Sequence, residues 1–372
     1  MVMPEKVELL GMDLPEMENF VQEQGEPKFR ARQLHKWIYN KSMSSFFEMS
    51  DLPRTLRYKL DQVARISIPR VLKQRVSQDG TRKYLVEFLD KKRVETVLIP
   101  QGKGRDARFT LCISSQVGCP LGCAFCATGA GGFQRNLQAY EIVGELLASR
   151  RELQKKLRTD DEGLISNLVY MGMGEPLLNY EEVLRSIHIF NDPRGLNIGQ
   201  RHITISTAGD VRGIYRLSRE ELQVTLAISL HASNDELRNQ LIPLNRRYPL
   251  EALIRAVEDY IEETNRRVTF EYLLLEGVND NRKDARELIE LLKPLLANIN
   301  LIPYNEVEGL PFKKPAAAKV TQFQSWLLDG GLNAVIREEH GTDIEAACGQ
   351  LRLANRKPTG PRAKKSAVKT ST

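Results

Sequence analysis

Four of the chain's five cysteines fall within fifteen residues: Cys112, Cys119, Cys123 and Cys126, with Cys348 far downstream. An odd number of thiols crowded in this way is a poor disulfide framework and in a cytosolic chain reads as metal-binding or catalytic. Three of them are spaced Cys-x3-Cys-x2-Cys in Cys119-Pro-Leu-Gly-Cys123-Ala-Phe-Cys126. Thiolates are the ligands of iron–sulfur clusters. Three can hold three irons of a 4Fe–4S cubane and leave the fourth iron open to a small molecule, as catalytic metal sites keep one position open. Gly118, Gly122, Ala124, Gly129, Gly131 and Gly132 surround the ligands, and such small residues let backbone wrap a bulky group. A structural zinc site asks for a fourth ligand, and no Cys or His follows nearby. A ferredoxin-type carrier asks for a fourth cysteine in its repeated pattern, which is also missing.

Further polar residues recur downstream at intervals that place them at strand ends. Met171-Gly-Met-Gly174-Glu175-Pro176 follows a predicted strand, and Glu175 can accept hydrogen bonds from an ammonium group. Ser206, then Ser229-Leu230-His231, then Asn305 follow later strands. Each alone reads equally as a cap or a turn. Together they share one rim of a sheet, where ligands bind in β/α folds. By residue type, Cys112 and Cys348 read as small buried hydrophobes. Cys348 differs in its surroundings: Ala346, Ala347 and Gly349 leave its thiol room to swing over that rim.

The elements that must position these groups are legible as periodic patterns. From about Arg108 onward, strands are expected at Phe109–Ser114, Leu168–Met171, Ile203–Ser206, Val224–Leu230, Val268–Leu274 and Ile299–Ile302. Helices are expected between them, at Tyr140–Leu157, Tyr180–Phe190, Leu250–Glu263 and Asp284–Leu292. Alternation of this kind implies an α/β fold with a parallel sheet and right-handed crossovers. Six units predict a partial (βα)6 TIM-like barrel, with a doubly wound open sheet as the alternative. Before it lies a different style of sequence: amphipathic helical stretches at Pro27–Tyr39 and Leu52–Leu60, then a hairpin, Arg82–Leu89 with Arg93–Pro100. The expected organisation is an N-terminal accessory RNA-binding domain at 1–100, a core at 105–342, a segment at 343–356 carrying Cys348, and a disordered basic tail at 357–372.

The chain has 372 residues and a formal charge of +6. The stretch 351–372 carries seven basic side chains and no acidic one, so the rest is close to neutral. A second basic zone, Gly25 to Arg75, has twelve Lys or Arg against four Asp or Glu. Contact with phosphates would use such surplus, and a solvated surface is the competing reading. With no apolar run of membrane-spanning length and no basic leader before an apolar stretch, a cytoplasmic location without membrane contact is expected.

The cysteine motif, with Phe125 before its last ligand, resembles that of the radical S-adenosylmethionine (SAM) superfamily. The resemblance implies that SAM chelates the open iron and is cleaved to a 5′-deoxyadenosyl radical. It implies cofactor contacts at Gly174, Glu175, Ser206, Ser229, Leu230, His231 and Asn305. Val94-Glu95-Thr-Val, Ser115-Gln-Val-Gly-Cys119, Ile205-Ser-Thr-Ala-Gly209 and Ala346-Ala-Cys-Gly-Gln-Leu351 extend the likeness over nearly the whole chain. This set resembles the RlmN-type dual-specificity RNA methyltransferases, which modify C2 of adenosine 2503 in 23S rRNA and of adenosine 37 in certain tRNAs. It is also similar to the Cfr-type enzymes, which methylate C8 of the same rRNA adenosine. What the resemblance implies is two SAM molecules per turnover: one methylates Cys348, and the other generates the radical that activates the S-methyl group. It further implies Glu95 as proton acceptor, a transient Cys112–Cys348 disulfide that releases product, an external flavodoxin-like electron donor, and a monomer. The alternatives are C8 methylation and a non-catalytic iron–sulfur or zinc RNA-binding protein.

Overall fold

The computed structural model describes residues 6–102 and 108–351; the basic tail expected at 357–372 lies outside them. Its main sheet has ten strands: β1 (Arg70–Val76), β2 (Arg82–Glu87), β3 (Arg93–Gln101), β4 (Arg108–Cys112), β5 (Ile165–Tyr170), β6 (Ile203–Thr207), β7 (Thr225–Ser229), β8 (Val268–Leu274), β9 (Ala297–Pro303) and β10 (Ala334–Ile336). Their order across the sheet is their order in the chain. From β1 to β4 each neighbour is antiparallel. From β4 to β10 each is parallel. The six expected core strands are all present, and the expected hairpin is β2 with β3. This is the α/β fold anticipated above, a partial barrel.

Helices cover the outer face because their apolar residues recur at helical spacing. Leu250–Thr264 buries Leu253, Ala256, Val257 and Tyr260 and ends at Asn265, whose left-handed backbone (φ 53°) stops the helix. Arg282–Leu292 starts at a reciprocal capping box between Asn281 and Asp284. Beneath them β8, Val-Thr-Phe-Glu-Tyr-Leu-Leu, is almost wholly buried, as a parallel strand covered on both faces must be. Among the described residues, no helix is long and apolar enough to cross a membrane.

Two strands lie beyond the sequence expectation. β1 is an edge strand, mostly exposed and rich in Arg and Lys, so it lacks apolar alternation; charge on an edge also discourages pairing with other chains. β10 has only three residues, too few for periodicity to register.

The N-terminal helices are Leu14–Glu23, Phe29–His35 and Arg54–Val63, the second running on as a π-helical turn to Asn40. Val7–Glu8 pairs in parallel with Ala64–Arg65 and so joins the two ends of this module. Arg150, buried on helix Ala139–Leu157, donates to Ser42 Oγ (3.0 Å) and to the Tyr39 carbonyl, tying the module to the core. Arg32 and Lys36 are exposed on its outer face, and Arg30 is half-buried against Gln33.

Candidate active site

A cleft of about 980 Å³ opens at the carboxyl ends of the parallel strands. Cys119, Cys123 and Cys126 line it, in the loop between β4 and helix Ala139–Leu157. A two-stranded ribbon, Gln116–Gly118 with Phe133–Asn136, closes that loop on itself. Its crossing point is Gly118, with φ +80°, where a Cβ would lie 1.9 Å from the Gly132 carbonyl oxygen. Only glycine fits so close an approach at such a φ.

The three thiols are partly buried and mutually close enough to interact. Burial pushes Cys119 up to about 12, and pushes Cys123 well above the ordinary thiol range; the neighbouring thiols add to the rise at Cys123. Thiols held so high remain protonated unless a cationic metal centre takes them as thiolates, which is how a soft metal site forms. Among the described residues no three His, Cys, Asp or Glu side chains are grouped as one metal ion would require. The fit to a cluster rests on the donor set: three soft thiols, one backbone cradle and open space beside them.

The opposite wall of the cleft is built from strand ends. Glu175 caps the turn Pro176–Asn179 through Leu177 N–H (3.2 Å), and its other oxygen accepts from Ala208 N–H at 2.8 Å. Burial lifts its carboxyl to about 7, and a cationic group in the cleft would bring it down again. Gly174 (φ +108°) brings the chain against Ser115 and Gln116, within 2.8 Å of a hypothetical Cβ. Ser206 and Ser229 line the cleft at the ends of β6 and β7. His231 follows, buried, in a left-handed conformation (φ 59°) and edge-on to Phe125, ring centroids 5.0 Å apart. Its Nδ1 accepts the Leu273 N–H at 3.0 Å. Burial holds its pKa down at about 3, so the ring is neutral.

Two of the expected contacts lie elsewhere. Leu230 is fully buried; its N–H donates to Glu271 O and its carbonyl accepts from Arg238. Asn305 lines a second, smaller cavity of about 570 Å³. That cavity also holds Cys112, from the end of β4, and Val97 and Ile99 from β3. Glu95 is buried on β3, two residues before Val97, and so projects from the same face of the strand.

Cys348 lines both cavities. Its segment is bound to the cysteine loop: Ala127 N–H donates to Gly349 O (2.8 Å) and Thr128 Oγ1 to Leu351 O (2.6 Å). All five cysteines are free. Burial, followed by the charge of Cys348, raises the Cys112 thiol far above its ordinary range.

Three residues of this site escaped the sequence reading. Arg337 lines both cavities and lies 3.7 Å from Glu271; Cys348 foremost pushes its pKa up. Glu271 had a signal, a lone carboxylate inside the apolar run of β8. Arg238 had none. It has no exposed surface and donates to the carbonyls of Leu230 (3.1 Å), Ala208 (2.7 Å) and Ser229 (3.2 Å) and to Asn245 Oδ1 (2.7 Å). One guanidinium thus clamps the backbone that bears the β6 and β7 ends. Arg238→Met is expected to leave these acceptors unpaired and cost about 3 kcal/mol or more. Urea denaturation would show this, and calorimetry of SAM binding should show at least tenfold weaker affinity.

Residues 7–66 match the family described as the ribosomal RNA large subunit methyltransferase N-terminal domain, and residues 113–292 match the radical SAM superfamily. The chain is 65% identical over 348 residues to the probable dual-specificity RNA methyltransferase RlmN of Syntrophomonas wolfei, covering 94% of this chain and 98% of that one. It is 48% identical over 346 residues to the dual-specificity RNA methyltransferase RlmN of Halorhodospira halophila, covering 93% of each. Among solved structures, a radical SAM methyltransferase from Sphaerobacter thermophilus superposes with a TM-score of 0.87 at 44% identity, over 93% of this chain and 99% of that one.

Proposed function

Because this chain belongs to the RlmN family of dual-specificity RNA methyltransferases, we propose that it methylates C2 of adenine in RNA, at adenosine 2503 of 23S rRNA and adenosine 37 of tRNAs, with Cys348 as the methyl carrier. The observation that supports this most is the position of Cys348 on the wall common to two cavities, one lined by three cysteines and the other by Cys112. A thiol there can receive a methyl group on one side and meet a second thiol on the other.

Cys119, Cys123 and Cys126 would hold a 4Fe–4S cluster, and Gly174, Glu175, Ser206, Ser229 and His231 would hold SAM beside it. Leu230 sets the register between Ser229 and His231, and Asn305 contributes from the second cavity. That cofactor pair, when bound, supplies the one-electron chemistry that removes hydrogen from an S-methyl group. The rest falls to this chain's own residues. Cys348 gives up its thiol proton, and its sulfur would take the methyl group of one SAM with S-adenosylhomocysteine as leaving group, presenting that carbon to the base; a second SAM would supply its activation. Such activation is needed because C2 of adenine, an amidine carbon, is electrophilic and cannot attack a methyl donor. Glu95 accepts the C2 proton, and the adduct's unpaired electron would be given up to the bound cluster. Cys112, as thiolate, then attacks the Cys348 sulfur: the S–S bond forms as the sulfur–methylene bond breaks, and the methylene leaves with the electron pair and takes a proton to become the methyl group of the freed base. Base chemistry of this kind needs the nucleotide out of its stack, and the exposed Arg32 and Lys36 of the N-terminal module are placed for the surrounding phosphates. The electron donor is a flavodoxin-like protein, and the reaction is cytoplasmic.

The test is direct. Anaerobic, cluster-loaded protein is incubated with SAM, a reductant and either a 23S rRNA fragment or a tRNA, and the nucleosides are resolved by mass spectrometry against authentic standards. The expected product from both RNAs is 2-methyladenosine. Product methylated at C8 would overturn the regiochemistry, and no methylated adenosine from either RNA would overturn the reading as a whole.

A further inference from the structure

Lys83 is a buried cation without a part in the chemistry described so far. On the β2–β3 ladder it stands opposite Val97, which makes Glu95 its diagonal neighbour on the same face. Its Nζ is 3.1 Å from Glu95 Oε1, and both side chains are less than a tenth exposed. The same Nζ donates to the backbone carbonyl of Glu345 at 2.8 Å. Glu345 is three residues before Cys348. One ammonium thus joins the hairpin carboxylate to the segment bearing the carrier thiol. Around it the turn between β1 and β2 holds that segment by further contacts: Gly341 N–H to Asp79 (2.9 Å) and Gln78 N–H to Asp343 (3.2 Å).

A buried ion pair contributes little to stability on its own, since removing both charges from water offsets their attraction. Its use here is geometric. We propose that Lys83 is a positioning residue of the methyl-transfer reaction, fixing Glu95 relative to the Cys348 segment so that proton acceptor and methyl carrier meet the same base. The inference rests on the reading of Glu95 and Cys348 given above.

The experiment compares Lys83→Met, Lys83→Arg, Glu95→Gln and the double variant Lys83→Met/Glu95→Gln, each as the full-length, cluster-loaded protein. Four quantities are read: kcat and KM for RNA methylation, methylation of the Cys348 thiol by peptide mass, and RNA–protein adduct on denaturing gels. Lys83→Met should lower kcat by about tenfold or more, within the range general-base catalysis spans, with little change in KM. The adduct should accumulate, because the C2 proton stays in place. Lys83→Arg should recover most of the loss, and the double variant should be no slower than Glu95→Gln alone. If Lys83→Met proves insoluble, Lys83→Gln, which keeps a donor for Glu345 but no charge, should show the same loss. An equal further loss in the Glu95→Gln background would overturn the proposal, as would a rise in KM at unchanged kcat. Full activity of the Met or Gln variant beside an inactive Glu95→Gln defeats this proposal alone. Full activity of Glu95→Gln defeats the reading of Glu95 and the proposal with it.

Discussion

Cys348→Ala is expected to retain iron and to cleave SAM, yet to methylate no RNA at all. The proposed cluster ligands are three other thiols, and the carbonyls that bind the Cys348 segment to their loop are those of its neighbours Gly349 and Leu351. Removing its sulfur leaves those bonds in place and removes only the atom that would carry the methyl group. Cys112→Ala should behave differently. Its iron content and the methylation of Cys348 should be normal, but the RNA should remain joined to Cys348, because no thiol remains in the second cavity to displace it. Nuclease digestion followed by mass spectrometry of the Cys348 peptide would show a nucleotide-sized increment. Normal turnover by the Cys112 variant, with no increment, would eliminate the disulfide step. Residual RNA methylation by the Cys348 variant would eliminate the carrier.

The second large effect is expected at the cluster. Alanine at any one of Cys119, Cys123 or Cys126 should abolish SAM cleavage and remove or cripple the iron centre, which in the unaltered protein should hold about four irons per chain. The other two thiols come from elsewhere: Cys348 faces the cleft from another segment, and Cys112 lines the second cavity. Iron analysis and the yield of 5′-deoxyadenosine measure the two outcomes separately. A variant lacking all three thiols that still cleaves SAM would disprove the assignment.

Much of this site could be read before the fold was seen, for a physical reason. The cysteine motif is local, so its spacing and its place after a strand mark it in the sequence. Gly174, Glu175, Ser206 and Ser229 follow strands whose apolar runs mark their own ends. Orientation was harder. Leu230 falls between two residues that face or flank the cleft, and its side chain is directed away into the core; Asn305 turns to the second cavity. Lys83, Arg238 and Arg337 could not be found at all. Each is one basic residue among fifty-four, and what distinguishes it is a partner brought close only by tertiary structure. β1 was hidden by its charges, which suit an edge but mask a strand's alternation.

The sheet's strand order has a consequence for how the protein is made. Every ladder joins strands adjacent in the chain, so each new strand leaving the ribosome finds its neighbour already in place, at a small loop-closure cost. The hairpin contacts to the Cys348 segment break that rule. Gly341 to Asp79 and Lys83 to Glu345 span 262 residues, and Gln78 to Asp343 spans 265. They can form only once all ten strands of the sheet have emerged. A nascent chain can therefore build its cysteine loop and strand ends while the seat of Cys348 waits for its own segment to emerge. The reactive thiol is docked beside the cofactor cleft only in a chain whose scaffold is already complete.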